Sequence, residues 1–244
     1  HPPVLVTSLE VDELEGHLEA LAAEARGGGG AGSSAASTSD APTPQLRVVV
    51  LRGAGGSFAA GTDIAHFTSF EGADDGVTYE ARIEGVVSAL EALPLPTLAV
   101  VEGAAVGGGL LLAAACDLRI CTPDARFGAP IARTVGNCLS LASTARLVAH
   151  LGPARTTALL FLADLMDAKE ASACGFVTEI VEATALDARL DELCTRLAGH
   201  APVTLRVSKE AVRRVVAAGV AEAAGGRHPG DETADPRPLP GEDL

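Results

Sequence analysis

An α/β core followed by helices is the fold class this sequence predicts, on three observations. Two apolar runs with strand character, Leu46–Leu51 and Thr97–Val101, each feed a glycine-rich turn and then a segment with helical spacing. Strand and helix patterns continue to alternate across residues 45–182, as layered α/β architectures require. From Leu186 onward the periodicity is helical only, near 186–199 and 202–223.

Thr7 and Glu10 stand in capping-box spacing, and Val11, Leu14, Leu18, Leu21 and Ala25 then recur on one face, which predicts an amphipathic helix over 7–25. Residues 27–44, GGGGAGSSAASTSDAPTP, hold too few bulky apolar groups to offset the entropy of ordering them. A flexible excursion without regular structure is expected there. In the core, Leu46–Leu51 and Thr97–Val101 are expected as buried, neighbouring, parallel strands, with helices near 77–93, 106–115, 140–151 and 154–163. The last twenty residues, from about Gly225, are rich in Pro, Gly and acids and are expected to be disordered. The organisation that follows is an N-terminal helix and linker over 1–44, an α/β core over 45–184, a helical region over 185–224 and a tail over 225–244.

Composition narrows the function classes. A net charge of −14 argues against a nucleic-acid partner, which is bound by clustered Lys and Arg. Aromatics make up 3% and Trp is absent, so base-stacking platforms are not expected either. The longest uncharged stretch, Gly103–Cys116, falls short of the roughly 20 apolar residues that span a bilayer. No basic stretch followed by an apolar core is visible at the start, and a reduced cytoplasm is the expected setting. The five cysteines form no Cys-x-x-Cys pair and read mostly as small buried apolar residues. The six histidines are scattered with no second ligand at metal spacing, so no metal site is assigned.

The chemistry is carried by two glycine blocks. The first reads LRVVVLRGAGGSFAAGTDIAHF from Leu46, and the second TLAVVEGAAVGGGLLLAAACDLRICTPDARFGAP from Thr97. Neither is a nucleotide fingerprint. Counting from Gly53 gives Gly55 and then Phe58 where a dinucleotide motif needs its third glycine. From Gly103 the P-loop spacing reaches Gly108, but Gly109 and Leu110 follow in place of Lys and Ser/Thr. What both blocks share is the order strand, glycine turn, helix. That order gathers backbone N–H groups at the ends of adjacent strands, where they suit a developing negative charge.

The run Phe58–Ile64, the triplet Gly107–Gly109, then Cys116-Asp117 and Arg126-Phe127-Gly128, in this order, resemble the enoyl-CoA hydratase/isomerase (crotonase) family. The resemblance covers roughly Leu46 to Val215. It implies a crotonase-like spiral of ββα units with C-terminal helices, a coenzyme A thioester as substrate with no further cofactor, and a homotrimer or dimer of trimers. It also implies an oxyanion hole formed by the backbone amides of Thr62 and Gly108. Ala60, Gly61, Asp63, Ile64 and Gly107 would shape the binding turns, with Asp63 capping the helix that opens there. A thioester carbonyl gains negative charge as its α-carbon loses a proton, and preorganised donors stabilise that state above the ground state. The family's opening strands and its Asn-Ala-Leu-type motif are not recognisable before the linker.

The acid/base pair departs from the family. Hydratases of this kind use two glutamates, one three residues after the middle glycine and one after the Phe-Gly-x-Pro stretch; here the positions read Leu111 and Ile131, or Ala132 if one residue is inserted. None can move a proton. The remaining polar candidates are Asn137 and Cys138 in the loop expected to cover the acyl group, and His66 after the first turn. Asp117 and Asp124 read as structural. Two functions follow: an acyl-CoA enzyme using the hole with a non-standard proton shuttle, or a catalytically degenerate member that binds acyl-CoA or a partner without turnover.

Overall fold

The computed structural model describes residues 4–7, 11–27, 46–60, 73–134 and 138–225. The chain divides into two compact units, His1–Lys209 and Glu210–Leu244. The first holds a five-stranded, all-parallel sheet. Its strands, in spatial order, are β1 (Val4–Thr7), β2 (Val48–Arg52), β3 (Thr97–Val101), β5 (Leu118–Cys121) and β8 (Glu179–Ile180). A smaller sheet has β6 (Arg126–Gly128) at its centre, parallel to β4 (Ala104–Val106) and antiparallel to β7 (Met166–Asp167).

Helices join the parallel strands: α1 (Val11–Gly27) leads from β1 to β2, α2 (Ala73–Glu91) from β2 to β3, and α3 (Gly108–Ala115) precedes β5. Parallel neighbours can only be joined by a chain that returns, so α2 and α3 run back against the strands. Both therefore begin at the carboxyl edge of the sheet, where ligand sites of α/β proteins form. Next come α4 (Ile131–Thr134), α5 (Leu141–Leu162), α6 (Ala168–Ala173), a 3-10 turn at Ala183–Ala185, α7 (Leu186–Gly199) and α8 (Pro202–Gly225).

The expected pairing of the two apolar runs is observed, with Val50 opposite Leu98 and Leu51 opposite Ala99. Both faces of these strands are buried, which is why they read as continuous apolar runs without alternation. Val49, Leu51, Ala99 and Val101 pack on one side with residues of α1, α2 and α3. Val48, Val50, Leu98 and Val100 pack on the other with Leu186, Leu190 and Leu193 of α7. Leu14, Leu18 and Leu21 of the amphipathic N-terminal helix lie in the first cluster.

Three sequence expectations need correction. An opening strand does precede the linker: Val4–Thr7 pairs with Val48–Leu51 along its full length. Thr7 belongs to that strand, so the helix starts at Val11 and not at a Thr7 cap. The helix expected from 106 starts at Gly108, because Val106 is held in β4 beside Gly128. The helices expected at 140–151 and 154–163 are observed as α5, broken where Gly152 takes φ 74° and ψ 161° ahead of Pro153. Of the expected flexible stretch, Gly27 ends α1 and the rest lies outside the described residues, as does the tail from residue 226.

Asp117 is structural as anticipated. One of its oxygens accepts from the Thr97 N–H at 2.8 Å, the Thr97 hydroxyl at 2.9 Å and Lys209 Nζ at 2.8 Å. In the second unit, Glu210 pairs with Arg213 and Arg214 at 2.9 and 2.6 Å.

Candidate functional site

The two glycine-rich turns meet at the carboxyl edge of the sheet. After β2 the chain turns through Gly53–Ser57 and returns beside the segment that follows β3. There Phe58 N–H donates to Glu102 O, Ala59 N–H to Ala104 O and Val106 N–H to Ala59 O, each at 2.8 Å. Gly103 sits at the contact: its φ is +58°, and a Cβ there would lie 2.7 Å from Gly56 O. The outcome is a parallel bridge between Ala59 and Ala105. Three residues beyond each bridged residue stand the two amides singled out by the sequence, Thr62 and Gly108. Thr62 lies outside the described residues, together with Gly61, Asp63, Ile64, His66 and Asn137.

Within the triplet the glycines have different reasons to be glycine. Gly107 takes φ 58° and ψ −118°, a conformation costly for a side chain, and its N–H donates to Gly128 O at 2.9 Å. At Gly109 a Cβ would lie 2.4 Å from Ala59 O, so α3 packs directly on the bridged segment. At Gly108 a Cβ would meet no described residue within 4 Å. The packing of the described residues makes no demand there. Among the described residues no backbone carbonyl accepts the Gly108 N–H, as expected for a first-turn amide. Position 108 thus combines a donor, room among the described residues and the positive end of a helix, which together suit an anionic oxygen.

The opposite end of α3 is closed by protein groups. Arg119 is buried at 5% exposure, and its NH1 donates to Ala113 O at 3.0 Å and Cys116 O at 2.6 Å, while its Nε donates to Phe176 O. The guanidinium carbon lies 4.9 Å from the Phe176 ring centroid. His150 Nε2 is 2.9 Å from Ala114 O, so the proton belongs on that nitrogen. Burial, with Arg119 and Arg146 nearby, pushes this imidazole down to about 4, against the pull of its bond to Ala114. Burial pushes the Cys116 and Cys121 thiols up to about 12, which leaves them inert.

The two glutamate positions of the family offer no chemistry. Leu111, one turn after Gly108, is 2% exposed and packs in the cluster that holds Val87, Leu90 and Leu147. Ile131 opens α4 half-buried, and Ala132 and Arg133 are exposed. Cys138 is exposed.

Sequence reasoning did not single out an acidic group between α2 and α5. Glu84 of α2 accepts from Ser143 Oγ at 3.1 Å and pairs with Arg146 of α5 at 2.9 Å, and Glu91 grips the same guanidinium at 2.5 Å. Burial opposes the charge of Glu84, but the hydrogen bonds and charge of Arg146 outweigh it and leave the carboxyl below its ordinary range. Glu80 stands one turn before Glu84 and accepts from the Ser140 backbone N–H. The spacing of Glu80, Glu84 and Glu91 on a predicted helix is a legible stripe, but nothing in it announces the facing arginine. Among the described residues no three His, Cys, Asp or Glu side chains gather as a metal would require, and no helix is long and apolar enough to cross a membrane.

Comparison with known proteins gives the family. The probable enoyl-CoA hydratase of Bacillus subtilis is 36% identical over 155 residues, 60% of each chain. The short-chain-enoyl-CoA hydratase of Clostridium acetobutylicum is 34% identical over 176 residues, 70% of this chain and 65% of that one. The chain therefore spans about 60–65% of the length of these curated relatives. Among solved structures, an enoyl-CoA hydratase from Bacillus anthracis matches with a TM-score of 0.73 at 26% identity, covering 87% of this chain and 80% of that one. An enoyl-CoA hydratase/carnithine racemase from Magnetospirillum magneticum gives 0.73 at 28% identity, with 87% and 76% covered. The family model for enoyl-CoA hydratase/isomerase matches residues 38–225, and with the spiral α/β core and the paired glycine turns this chain belongs to that family.

Proposed function

We propose that this protein processes acyl-CoA thioesters by stabilising an enolate at the start of α3, without the two-glutamate hydration mechanism. The observation that carries this reading is Gly108: an amide at a helix N-terminus with no backbone acceptor among the described residues, at a position where none of them would meet a Cβ within 4 Å. Thr62 is the second donor in this reading, reached three residues after the Ala59–Ala105 bridge. The thioester is substrate, with no further cofactor. A homotrimer or dimer of trimers and a cytoplasmic setting belong to the same proposal.

A competing reading, acyl-CoA binding without turnover, draws support from Leu111, whose side chain is committed to the core. Crotonyl-CoA separates the enzyme reading from ordinary hydration. Losing both general acid and base should leave hydration slower than in a two-glutamate hydratase by about 10²–10⁴-fold. Binding of the thioester should persist. Hydration at an ordinary hydratase rate would overturn the mechanism.

A further inference from the structure

We propose that Arg119 is a positioning residue for the enolate. Bonded to the far end of α3 and carrying an uncancelled charge, it strengthens the hold of the Gly108 amide on a negative oxygen. The inference rests on the enolate reading above. Its basis is where the guanidinium sits. One terminal nitrogen donates to Ala113 O at 3.0 Å and Cys116 O at 2.6 Å, with Ala114 O at 3.4 Å, and Nε donates to Phe176 O. Three carbonyls at the C-terminus of α3 thus meet one cation, while Gly108 opens the same helix.

The neighbours of Arg119 leave its charge whole. Among the described residues its guanidinium forms no ion pair; its partners are carbonyls and the Phe176 ring. Asp117, two residues away, is bonded to Lys209 at 2.8 Å, and Arg146 is shared by Glu84 and Glu91. The other titratable groups beside it are His150, which burial keeps neutral, and the Cys116 thiol, pushed up to about 12. α3 carries no charged side chain, and every residue from Gly109 to Ala115 is buried. The field of the guanidinium therefore runs along α3 through packed protein, where it is screened far less than in water.

A cation at a helix C-terminus offsets the negative pole of the macrodipole and leaves the positive pole at the N-terminus unopposed. The eight residues of α3 span about 12 Å. At that distance, with an effective dielectric constant of about 20, a unit charge changes an ionisation equilibrium by about tenfold. The effect appears only once the thioester oxygen has become negative. The neutral thioester has no net charge at that oxygen, and the phosphates of the coenzyme are common to both states. Arg119 therefore acts on formation of the enolate and not on binding of the substrate, the differential stabilisation that catalysis requires.

The test uses the full chain and acetoacetyl-CoA, whose C2 proton is acidic enough to leave without a protein base and whose enolate absorbs in the near ultraviolet. Titrating the bound ligand by absorbance reads the ratio of enolate to neutral form. The wild type should raise that ratio above its value in water. Arg119→Gln, which keeps N–H donors and drops the charge, should lower the ratio by about tenfold, while affinity for crotonyl-CoA is retained. Arg119→Lys, which keeps the charge, should preserve most of the ratio. An unchanged ratio in a folded Arg119→Gln variant, or an equal loss of crotonyl-CoA affinity, would overturn the role of Arg119 and leave the enolate reading standing. No binding by the wild type, or binding without a gain of enolate, would overturn both. If Arg119→Gln does not fold, Cys116→Asp decides: a carboxylate of similar size beside the guanidinium should lower the ratio, and an unmoved ratio would overturn the proposal.

Discussion

The two ends of α3 are finished in opposite ways. At its C-terminus the carbonyls of Ala113, Ala114 and Cys116 all receive protons from Arg119 or His150, and Phe176 seals both side chains. At its N-terminus the Gly108 amide has no backbone acceptor among the described residues, and none of them lies within 4 Å of where a Cβ would stand. A helix has orphan groups at both ends. Here one set is satisfied from within at the cost of burying an arginine, and at the other no described backbone carbonyl accepts the Gly108 amide. In the proposed reading the contrast gives stability to one end and function to the other.

That division can be broken experimentally, and the largest effect belongs to the closed end. Arg119→Ala should destabilise the fold by about 3–5 kcal/mol, because it leaves buried carbonyls without donors and a cavity beside Phe176. Urea unfolding would measure it, and a loss within error would show that the closed end is not what holds α3. His150 comes next. Its folded value of about 4 lies below the unfolded 6.5, so its contribution is complete above pH 6.5 and is lost as pH falls toward 4. The loss amounts to at most about 3 kcal/mol. The difference in unfolding midpoint between wild type and His150→Gln should therefore shrink as pH drops through that window; a constant difference would contradict the buried neutral imidazole.

Smaller effects separate neighbouring glycines at the open end. Gly109→Ala should cost about 1–3 kcal/mol, since the new carbon lies 2.4 Å from Ala59 O and one of the two segments must give. Gly108→Ala, with no described residue within 4 Å, should be neutral to stabilising by under about 1 kcal/mol in thermal melts. Equal destabilisation by both substitutions would mean that position 108 is packing after all.

How much of this the sequence disclosed follows from how local each signal is. Buried parallel strands such as Leu46–Leu51 and Thr97–Val101 announce themselves as apolar runs, and the Gly152-Pro153 break was legible because both residues act on the backbone directly. β1 was not legible: VLVT is four residues long, and only pairing with β2 across the linker makes it a strand. β4, β6, β7 and β8 are two or three residues each, below any periodicity. The buried Arg119 reads in sequence as a polar strand position, since its acceptors are the end of a helix and the Phe176 loop. At the site, the glycine turns and the absence of both glutamates were visible in the residues. The distinction among Gly107, Gly108 and Gly109 was not, because it depends on what Ala59 and Gly128 place beside them.

If the Gly108 amide is kept for a thioester oxygen, as proposed, its proton resonance reports the contact. In a 15N-labelled protein, titration with crotonyl-CoA should move the Gly108 N–H downfield to a saturating value, as a new charge-assisted hydrogen bond requires. Free coenzyme A, which lacks the thioester carbonyl, should leave that resonance in place. A Gly108 signal unmoved by saturating crotonyl-CoA, or moved equally by both ligands, would contradict the account.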